Sequence, residues 1–315
     1  MDKYTKAILT ILKDKYTEIN GEKLFQTKDG AREFYLENLE DNLYRPMDAN
    51  AMKAYGEGTG NEIASGKMNA LRSSSALTYN LFWDQIAEVK VGADNTIGNG
   101  VYKVEFEKWY HTLKPSVSRF PANLDAFLYC KHTKEAIACE MKMTEWIFNK
   151  PGMLRAAYLN PDNYIDSEAG KVFSSVAKAL ILHNDYDDPE TEKSEYPAVT
   201  SRYDTFQMFK HAVACYTAIA KEESREIKNL TLVNCAWMIT DIDLLDAELK
   251  ERYIREKEEE LYGFGQFKEI MEPVKDLFAK KNVQFDIKFY SYAEFLGLFD
   301  KTDEELNYLR RYTLF

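Results

Sequence analysis

Apolar residues recur through much of the chain with the three- and four-residue spacing of amphipathic helices. Such segments predict helices over residues 1–19, 29–40, 68–90, 167–182, 200–222 and about 243–280. A glycine-rich loop over residues 55–62 precedes the third of these helices, and a polar, acidic loop over residues 184–198 follows the fourth. The chain ends in a further helical segment.

Other segments alternate apolar and polar residues with period two, or form short apolar runs, and both patterns are typical of strands. They predict strands over residues 101–107, 123–130, 136–144, 229–239 and 283–290. The polar turn at residues 131–134 joins the second and third strands into a β-hairpin. The run 229–239 is apolar throughout, as expected of a central strand that is covered on both faces. Strands interleaved with helices indicate an α/β or α+β core.

The composition is that of a globular chain with an excess of acid. Of 315 residues, 45% are hydrophobic, and 41 Lys and Arg against 52 Asp and Glu leave a formal net charge of −11. This argues against a protein that coats DNA without sequence preference, which normally presents a basic surface. No apolar run reaches the ~18 residues that span a bilayer, so we expect no membrane segment.

The cysteines favour a reducing, cytoplasmic location. Cys130, Cys139, Cys215 and Cys235 lie in apolar surroundings, and none belongs to a C-x-x-C pair. We expect buried thiols, although Cys130 and Cys139 could form a disulfide if they face each other on paired strands. The histidines show no ligand spacing with the cysteines, which argues against a structural zinc site.

Charged residues interrupt the otherwise apolar hairpin. Asp125 lies on its first strand, and period-two geometry projects Glu140 and Lys142 from one face of the second. If the strands pair through the turn, Asp125 lies opposite Glu140. Charges inside strands are costly unless they are paired or bind a metal. Two carboxylates can hold Mg²⁺, and a neighbouring lysine can orient or deprotonate a water for attack on a phosphate.

This constellation, Asp125 followed by Glu140-Met141-Lys142 on a hairpin, resembles the PD-(D/E)XK motif of the restriction-endonuclease-like nuclease superfamily. Leu124 stands where the motif name places proline, a departure that many members share. The order of the helix, the strands and the Gln-bearing helix over roughly residues 62–240 also resembles a bacterial group of restriction endonucleases.

The resemblance implies an α/β fold of the restriction-endonuclease-like type, with a mixed central sheet flanked by helices and a helical N-terminal portion. Residues 1–60 would form that N-terminal portion, and residues 61–315 the nuclease-like core with a C-terminal helical extension, or the two would form one continuous domain. The implied function is metal-dependent hydrolysis of DNA phosphodiester bonds in bacterial restriction or defence.

The resemblance also implies roles for individual residues. Asp125 and Glu140 would bind Mg²⁺ or Mn²⁺, the carbonyl of Met141 would complete the metal shell, and Lys142 would act on the attacking water. Further members of the site would be Glu107 as another acid, Glu62 as an additional metal ligand and Gln207 as a contact to substrate or to Lys142. The implied partner is double-stranded DNA, and a homodimer is allowed because many such nucleases act as dimers. The candidate phosphate contacts are Lys67, Arg72, Lys131 and Lys134.

Simpler interpretations remain open for the same residues. Glu140 and Lys142 could form an ion pair on a solvated strand face, and Glu107 could be an ordinary exposed strand residue. Gln207 could be a half-buried helix residue. A catalytically inactive member of the fold that binds nucleic acid or protein, and an unrelated α/β enzyme acting on a small molecule, are the alternative functions.

Overall fold

Helices cover both faces of a central mixed sheet in the computed structural model, which describes residues 1–26, 30–57, 61–94, 96–118, 121–148, 152–184, 194–198, 202–221 and 226–313. The helices are α1 (Lys3–Asn20), α2 (Ala49–Glu57), α3 (Ser74–Leu81), α4 (Ser167–His183), α5 (Thr205–Ala220), α6 (Ala247–Ile270), α7 (Glu272–Ala279), α8 (Tyr292–Gly297) and α9 (Asp303–Leu309). The strands are β1 (Ile86–Val89), β2 (Gly100–Tyr110), β3 (Ala122–Cys130), β4 (Glu135–Lys142), β5 (Met153–Arg155), β6 (Glu195–Pro197), β7 (Asn229–Ala236) and β8 (Gln284–Ser291). The α/β class expected from the sequence is confirmed.

The sheet runs in the order β1-β2-β3-β4-β7-β8. Strands β1 to β4 are antiparallel neighbours, whereas β4, β7 and β8 are parallel to one another. The parallel half requires long connections, and helices α4 to α7 supply them. Strands β5 and β6 form a separate two-stranded pair. None of the helices in the described ranges is long and apolar enough to cross a bilayer.

Side chains of β3 and β4 point to both faces of the sheet and contribute to two hydrophobic cores, one on each face. Leu128 and Met141 point into a cluster that also contains Ile8 of α1 and Leu77 of α3. Neighbouring side chains on the same strands point the other way, into a cluster with α4 and α5. Because α1 packs in the first cluster, residues before position 60 share a core with the central strands.

Several predicted elements are confirmed, and they include the ones that matter for the site. The hairpin, the central strand β7 and the last strand β8 all form where the pattern placed them. The strand predicted over 101–107 is part of the longer β2. The helices expected over 1–19, 167–182 and 243–280 correspond to α1, to α4, and to α6 with α7. The helix expected over 200–222 is α5, and residues 200, 201 and 222 lie outside the described ranges.

The long helix predicted over residues 68–90 is wrong. Only α3 forms there, beginning where the Ser73 hydroxyl accepts the Ala76 N–H. Past α3 the chain reverses at Gln85, whose φ is +58°, and then pairs with β2 as strand β1. The apolar residues after Phe82 therefore belong to a strand rather than to a helix, because pairing with β2 satisfies their backbone groups.

The helix predicted over residues 29–40 is also wrong. Two short 3₁₀ helices, Gly30–Phe34 and Leu39–Asn42, flank a bridged stretch in which Tyr35 pairs with Ala70 and Leu36 with Phe25. The predicted glycine-rich loop at 55–62 is partly helical, since α2 extends to Glu57. Residue 29 and residues 58–60 lie outside the described ranges, as does most of the acidic loop at 184–198, whose end forms β6.

All four cysteines are buried free thiols, as expected. Cys130 pairs with Glu135 in the hairpin register and Cys139 pairs with Ala126, so the two do not face each other. Burial raises the pKa of the Cys215 thiol to about 12, which keeps it protonated and unreactive.

Candidate active site

The central sheet separates between β3 and β4. The pairing of these strands ends at Ala126 and Cys139. Beyond that point β3 continues alongside β2 to Ala122, whereas β4 continues alongside β7 to Lys142. The last residues of β4 therefore present their β3-facing backbone groups to a gap rather than to a strand.

The side chain of Asp125 occupies this gap. Its Oδ2 accepts the backbone N–H of Met141 at 2.7 Å, in the place where a strand partner would have been. The carbonyl of Lys142 accepts the Trp237 N–H on the β7 side at 2.7 Å. Because backbone groups of successive residues point to alternate sides of a strand, the Met141 carbonyl points toward the gap, beside Asp125.

Three carboxylates form one row across neighbouring strands. Glu107 stands opposite Asp125, between the paired residues on either side of it in β2 and β3. Continuation of the hairpin register places Glu140 on the other side of Asp125, as predicted from the turn. Glu107 has a φ of +48°, a left-handed conformation that non-glycine residues adopt rarely and that is concentrated at functional sites.

Glu140 is the most engaged of the three acids and is 3% exposed. Its Oε1 lies 2.8 Å from the Lys142 Nζ and accepts the Gln207 amide at 2.7 Å, while its Oε2 lies 2.8 Å from Nε2 of His211. The Lys142 ammonium also donates to the Gln207 Oε1 at 2.5 Å. Burial alone would raise the pKa of Glu140, but Lys142 and His211 outweigh it and hold that pKa well below its usual range.

Lys142 is held as an ammonium ion. Burial acts to lower its pKa, but Glu140, Asp204 and Glu145 together raise it above the usual value. The nearest oxygen of Asp204 lies 4.0 Å from the Lys142 Nζ. In this arrangement Lys142 can donate hydrogen bonds and neutralise charge, and it becomes a base only if its carboxylate partners are drawn elsewhere.

The other two acids in the row are compensated less, although the Met141 N–H and Lys142 act to lower the pKa of Asp125. Burial raises the pKa of Asp125 well above its ordinary value, and repulsion from Glu140 and Glu107 adds to this. Burial and repulsion from Glu140 and Glu62 likewise raise the pKa of Glu107 to about 7, against a weak hydrogen bond from Asn123 at 3.4 Å. Without a cation the row therefore favours the protonated form of these two acids, and a bound cation would favour their ionised form.

The donor set at the gap suits a hard divalent cation in part. Asp125, Glu107 and the Met141 carbonyl offer the oxygen ligands that Mg²⁺ prefers. Glu140 fits less well, because its Oε1 already has two donors. Within the part of the chain that the structure describes, no group of three or more His, Cys, Asp or Glu side chains is arranged to hold a metal. A cation here would depend on carboxylates together with a backbone oxygen and water.

Glu62 and its neighbours lie at the side of the row. The Glu62 carboxylate is 3.4 Å from the Lys67 Nζ, and it is close enough to Glu107 to raise the pKa of that residue. Glu62, Lys67 and Arg72 line a depression of about 280 Å³ together with the N-terminus of α3. Two of the expected phosphate contacts are thus beside the site.

The expectation that Lys131 and Lys134 flank the site is wrong. Both lie in the turn of the hairpin, at the opposite end of β3 and β4 from Asp125. Lys134 is also paired with Glu226 at 2.6 Å.

His211 and Asp204 belong to the site, although sequence reasoning did not single them out. His211 follows Gln207 by one helical turn on α5, so both reach Glu140 from one face. Asp204 caps the N-terminus of α5 by accepting the Gln207 N–H at 3.0 Å. The helical spacing from Gln207 and the Asp before an apolar run were the available signals.

Comparison of the chain with protein-family models, with curated proteins and with solved structures gives no match.

Proposed function

We propose that this protein is a metal-dependent nuclease that hydrolyses phosphodiester bonds in DNA, with the fold and catalytic motif of the restriction-endonuclease-like superfamily. The observation that carries the proposal is the row Glu107, Asp125 and Glu140 at the point where β3 and β4 separate, with Lys142 beside it. Burying acids that repel one another destabilises the folded protein, and a bound cation would offset that cost.

The residues divide into those that would hold the metal and those that would hold the substrate. Asp125, Glu107 and the Met141 carbonyl would bind Mg²⁺ or Mn²⁺, which supplies positive charge that stabilises the charge building on the phosphate. Lys142 donates to the attacking water or to a phosphate oxygen. Gln207 keeps the Lys142 ammonium beside Glu140, since its amide contacts both.

His211 has a positioning role in this scheme. It is 1% exposed and contacts the Glu140 oxygen that Lys142 and Gln207 leave free. It therefore fixes the orientation of Glu140 when the Lys142 ammonium moves toward substrate.

A catalytically inactive relative of the nucleases is the second candidate. It is favoured by the closed network of Lys142, Gln207 and His211 around Glu140, which satisfies the acid without a metal. Such a protein would bind nucleic acid or another protein through the same fold.

The test is incubation with duplex DNA and Mg²⁺ or Mn²⁺, comparing wild type with Lys142→Ala. Lys171 lies exposed on α4, and Lys171→Ala is the matched control. We expect cleavage by wild type and Lys171→Ala, and none by Lys142→Ala. Equal Mg²⁺-dependent cleavage by folded Lys142→Ala would refute the assignment.

Calorimetry with Mn²⁺ separates the two candidates, because it does not depend on turnover. Asp125→Asn should weaken Mn²⁺ binding, since it removes one of the two least compensated carboxylates in the row. Absence of Mn²⁺ binding to wild type would favour the inactive candidate.

A further inference from the structure

A cavity of about 410 Å³ adjoins the carboxylate row on the side of α5. Its lining includes Asn123, Arg155, Gln207, Lys210 and His211. Gln207 and His211 contact Glu140, and Asn123 donates to Glu107, so a molecule in the cavity would lie next to the site. The volume falls within the ~300–1,000 Å³ of small-molecule sites.

Lys210 contributes to the cavity a positive charge that is only partly offset by neighbouring acids. It follows Gln207 by three residues on α5, and its Nζ donates to the Met153 carbonyl at 3.4 Å. No carboxylate of the described residues lies within salt-bridge distance of this ammonium. Burial lowers its pKa and the charges of Lys142 and Arg155 lower it further, while Asp204 and Glu140 offset only part of the effect.

Arg155 adds a second cation at the mouth of the cavity. It lies on β5, where its Nε is 3.6 Å from the Glu195 carboxylate, and its side chain is 54% exposed. Among the described residues that line the cavity, Lys210 and Arg155 are cationic and Glu195 is acidic. Thr112 and Ser118 also line it. Cationic side chains with nearby hydroxyl and amide groups are the features that bind phosphate.

His211 connects this cavity to the row. Its Nε2 contacts Glu140, and its buried Nδ1 has no hydrogen-bond partner among the described residues. A buried imidazole nitrogen without a partner is unfavourable unless water or a ligand completes it. His211 also lines the cavity, so a group bound there would lie against the residue that orients Glu140.

We propose that this cavity is a phosphate subsite, in which Lys210 and Arg155 bind a phosphate group of the nucleic-acid strand next to the one held at the carboxylate row. This rests on the proposed nuclease function. The volume exceeds that of a phosphate alone, so the sugar attached to it would enter as well. The phosphate is either an internal phosphodiester or a terminal 5′-phosphate, two sources that share one chemistry.

The test measures binding without metal, so that it does not depend on cleavage. Fluorescein-labelled single-stranded oligonucleotides, with either a 5′-phosphate or a 5′-hydroxyl, are titrated with protein in EDTA and followed by anisotropy. We expect Lys210→Met to weaken binding about tenfold or more, the loss of a charge-assisted hydrogen bond. Lys210→Arg should retain most of the affinity, because it keeps the charge. Lys171→Met, the exposed-lysine control, should bind as wild type.

The two phosphate sources give different patterns. A Lys210→Met effect on both oligonucleotides indicates an internal phosphodiester, and an effect only on the 5′-phosphorylated one indicates a terminal phosphate; either supports the proposal. Arg155→Gln, at a half-exposed position, should weaken binding several-fold and serves if Lys210→Met fails to fold. Affinity unchanged by either substitution would overturn the subsite.

The outcomes distinguish failure of the nuclease proposal from failure of the phosphate subsite. If wild type binds the oligonucleotide through Lys210 but never cleaves DNA with Mg²⁺ or Mn²⁺, the catalytic proposal fails while the binding result stands. If wild type cleaves and Lys210→Met binds normally, only the phosphate subsite is wrong.

Discussion

Replacing Glu107 with glutamine should stabilise the metal-free protein at alkaline pH. Glu107 is an acid in a buried row with Asp125 and Glu140, and the repulsion within that row is a cost to folding. Glutamine has nearly the same shape and carries no charge. The substitution therefore removes the repulsion while it leaves the backbone of β2 as it is.

The magnitude follows from the pKa of Glu107. Burial and the neighbouring acids raise it from the ordinary 4.5 of a glutamate to about 7. At about 1.4 kcal/mol per pH unit, that displacement corresponds to about 3.5 kcal/mol. The buried amide of glutamine retains some desolvation cost, so we expect a gain of about 1–3 kcal/mol in the free energy of unfolding at pH 8.

The contribution of Glu107 to the free energy of unfolding decreases as pH rises. Because the folded chain holds the Glu107 proton more tightly than the unfolded chain, the contribution to stability is complete below about pH 4.5 and is lost as pH rises through about 7. The difference in unfolding free energy between Glu107→Gln and wild type should therefore grow over this interval and level off above it.

Urea unfolding in EDTA at a series of pH values, followed by circular dichroism, measures this difference. Glu88→Gln is the control, since Glu88 is exposed on β1, and its effect should stay within about 0.5 kcal/mol. Mg²⁺ at a hundred times its dissociation constant should add about 2.7 kcal/mol to wild type and less to the variant. A variant that is no more stable than wild type at pH 8 in EDTA would refute the electrostatic reasoning.

The remaining predictions concern the network around Glu140 and the packing of α4. Lys142→Met alone should lower the free energy of unfolding by roughly 3–5 kcal/mol, because it leaves the buried Glu140 carboxylate without its main partner. Glu140→Gln combined with Lys142→Met should recover much of that loss without restoring cleavage. Urea unfolding of Lys142→Met, Glu140→Gln and the double variant gives the coupling energy, and additive effects would contradict the pairing. Gly170→Ala should destabilise the fold by about 1–3 kcal/mol, because an added Cβ would lie 2.2 Å from the Pro161 carbonyl, and a melting temperature equal to that of wild type would contradict that packing.

The parts of the fold that local pattern decides could be predicted. Residues 123–130 and 136–144 are two largely apolar runs joined by a short polar turn, so their pairing depends on neighbours in sequence, and the hairpin forms with the predicted register. The long helix over 68–90 could not be excluded, because its apolar spacing suits a helix as well as the strand that β2 recruits from residues 86–89. Tertiary pairing overrides local preference there.

The candidate site divides in the same way. Glu140 and Lys142 follow from period two within one strand, and the place of Asp125 follows from the hairpin turn. The contacts of Glu140 with Gln207 and His211 span 67 and 71 residues, and they depend on how α5 packs against the sheet. No local pattern encodes that packing. The family resemblance supplied the Gln207 contact to Lys142, but the contact of His211 with Glu140 and the ammonium state of Lys142 were beyond the sequence.

The separation of β3 from β4 also has a mechanical consequence. Glu107 and Asp125 belong to the antiparallel half of the sheet, and Glu140 and Lys142 belong to the parallel half. At this end, within the described residues, the halves are joined by the hydrogen bond from the Met141 N–H to Asp125 rather than by a ladder. A slight spreading of the two halves beyond Ala126 and Cys139 would change the spacing of the acids without breaking any strand pairing. A cation or substrate that contacts both halves would restrict this motion. Slower hydrogen exchange of the Met141 amide on binding would show it.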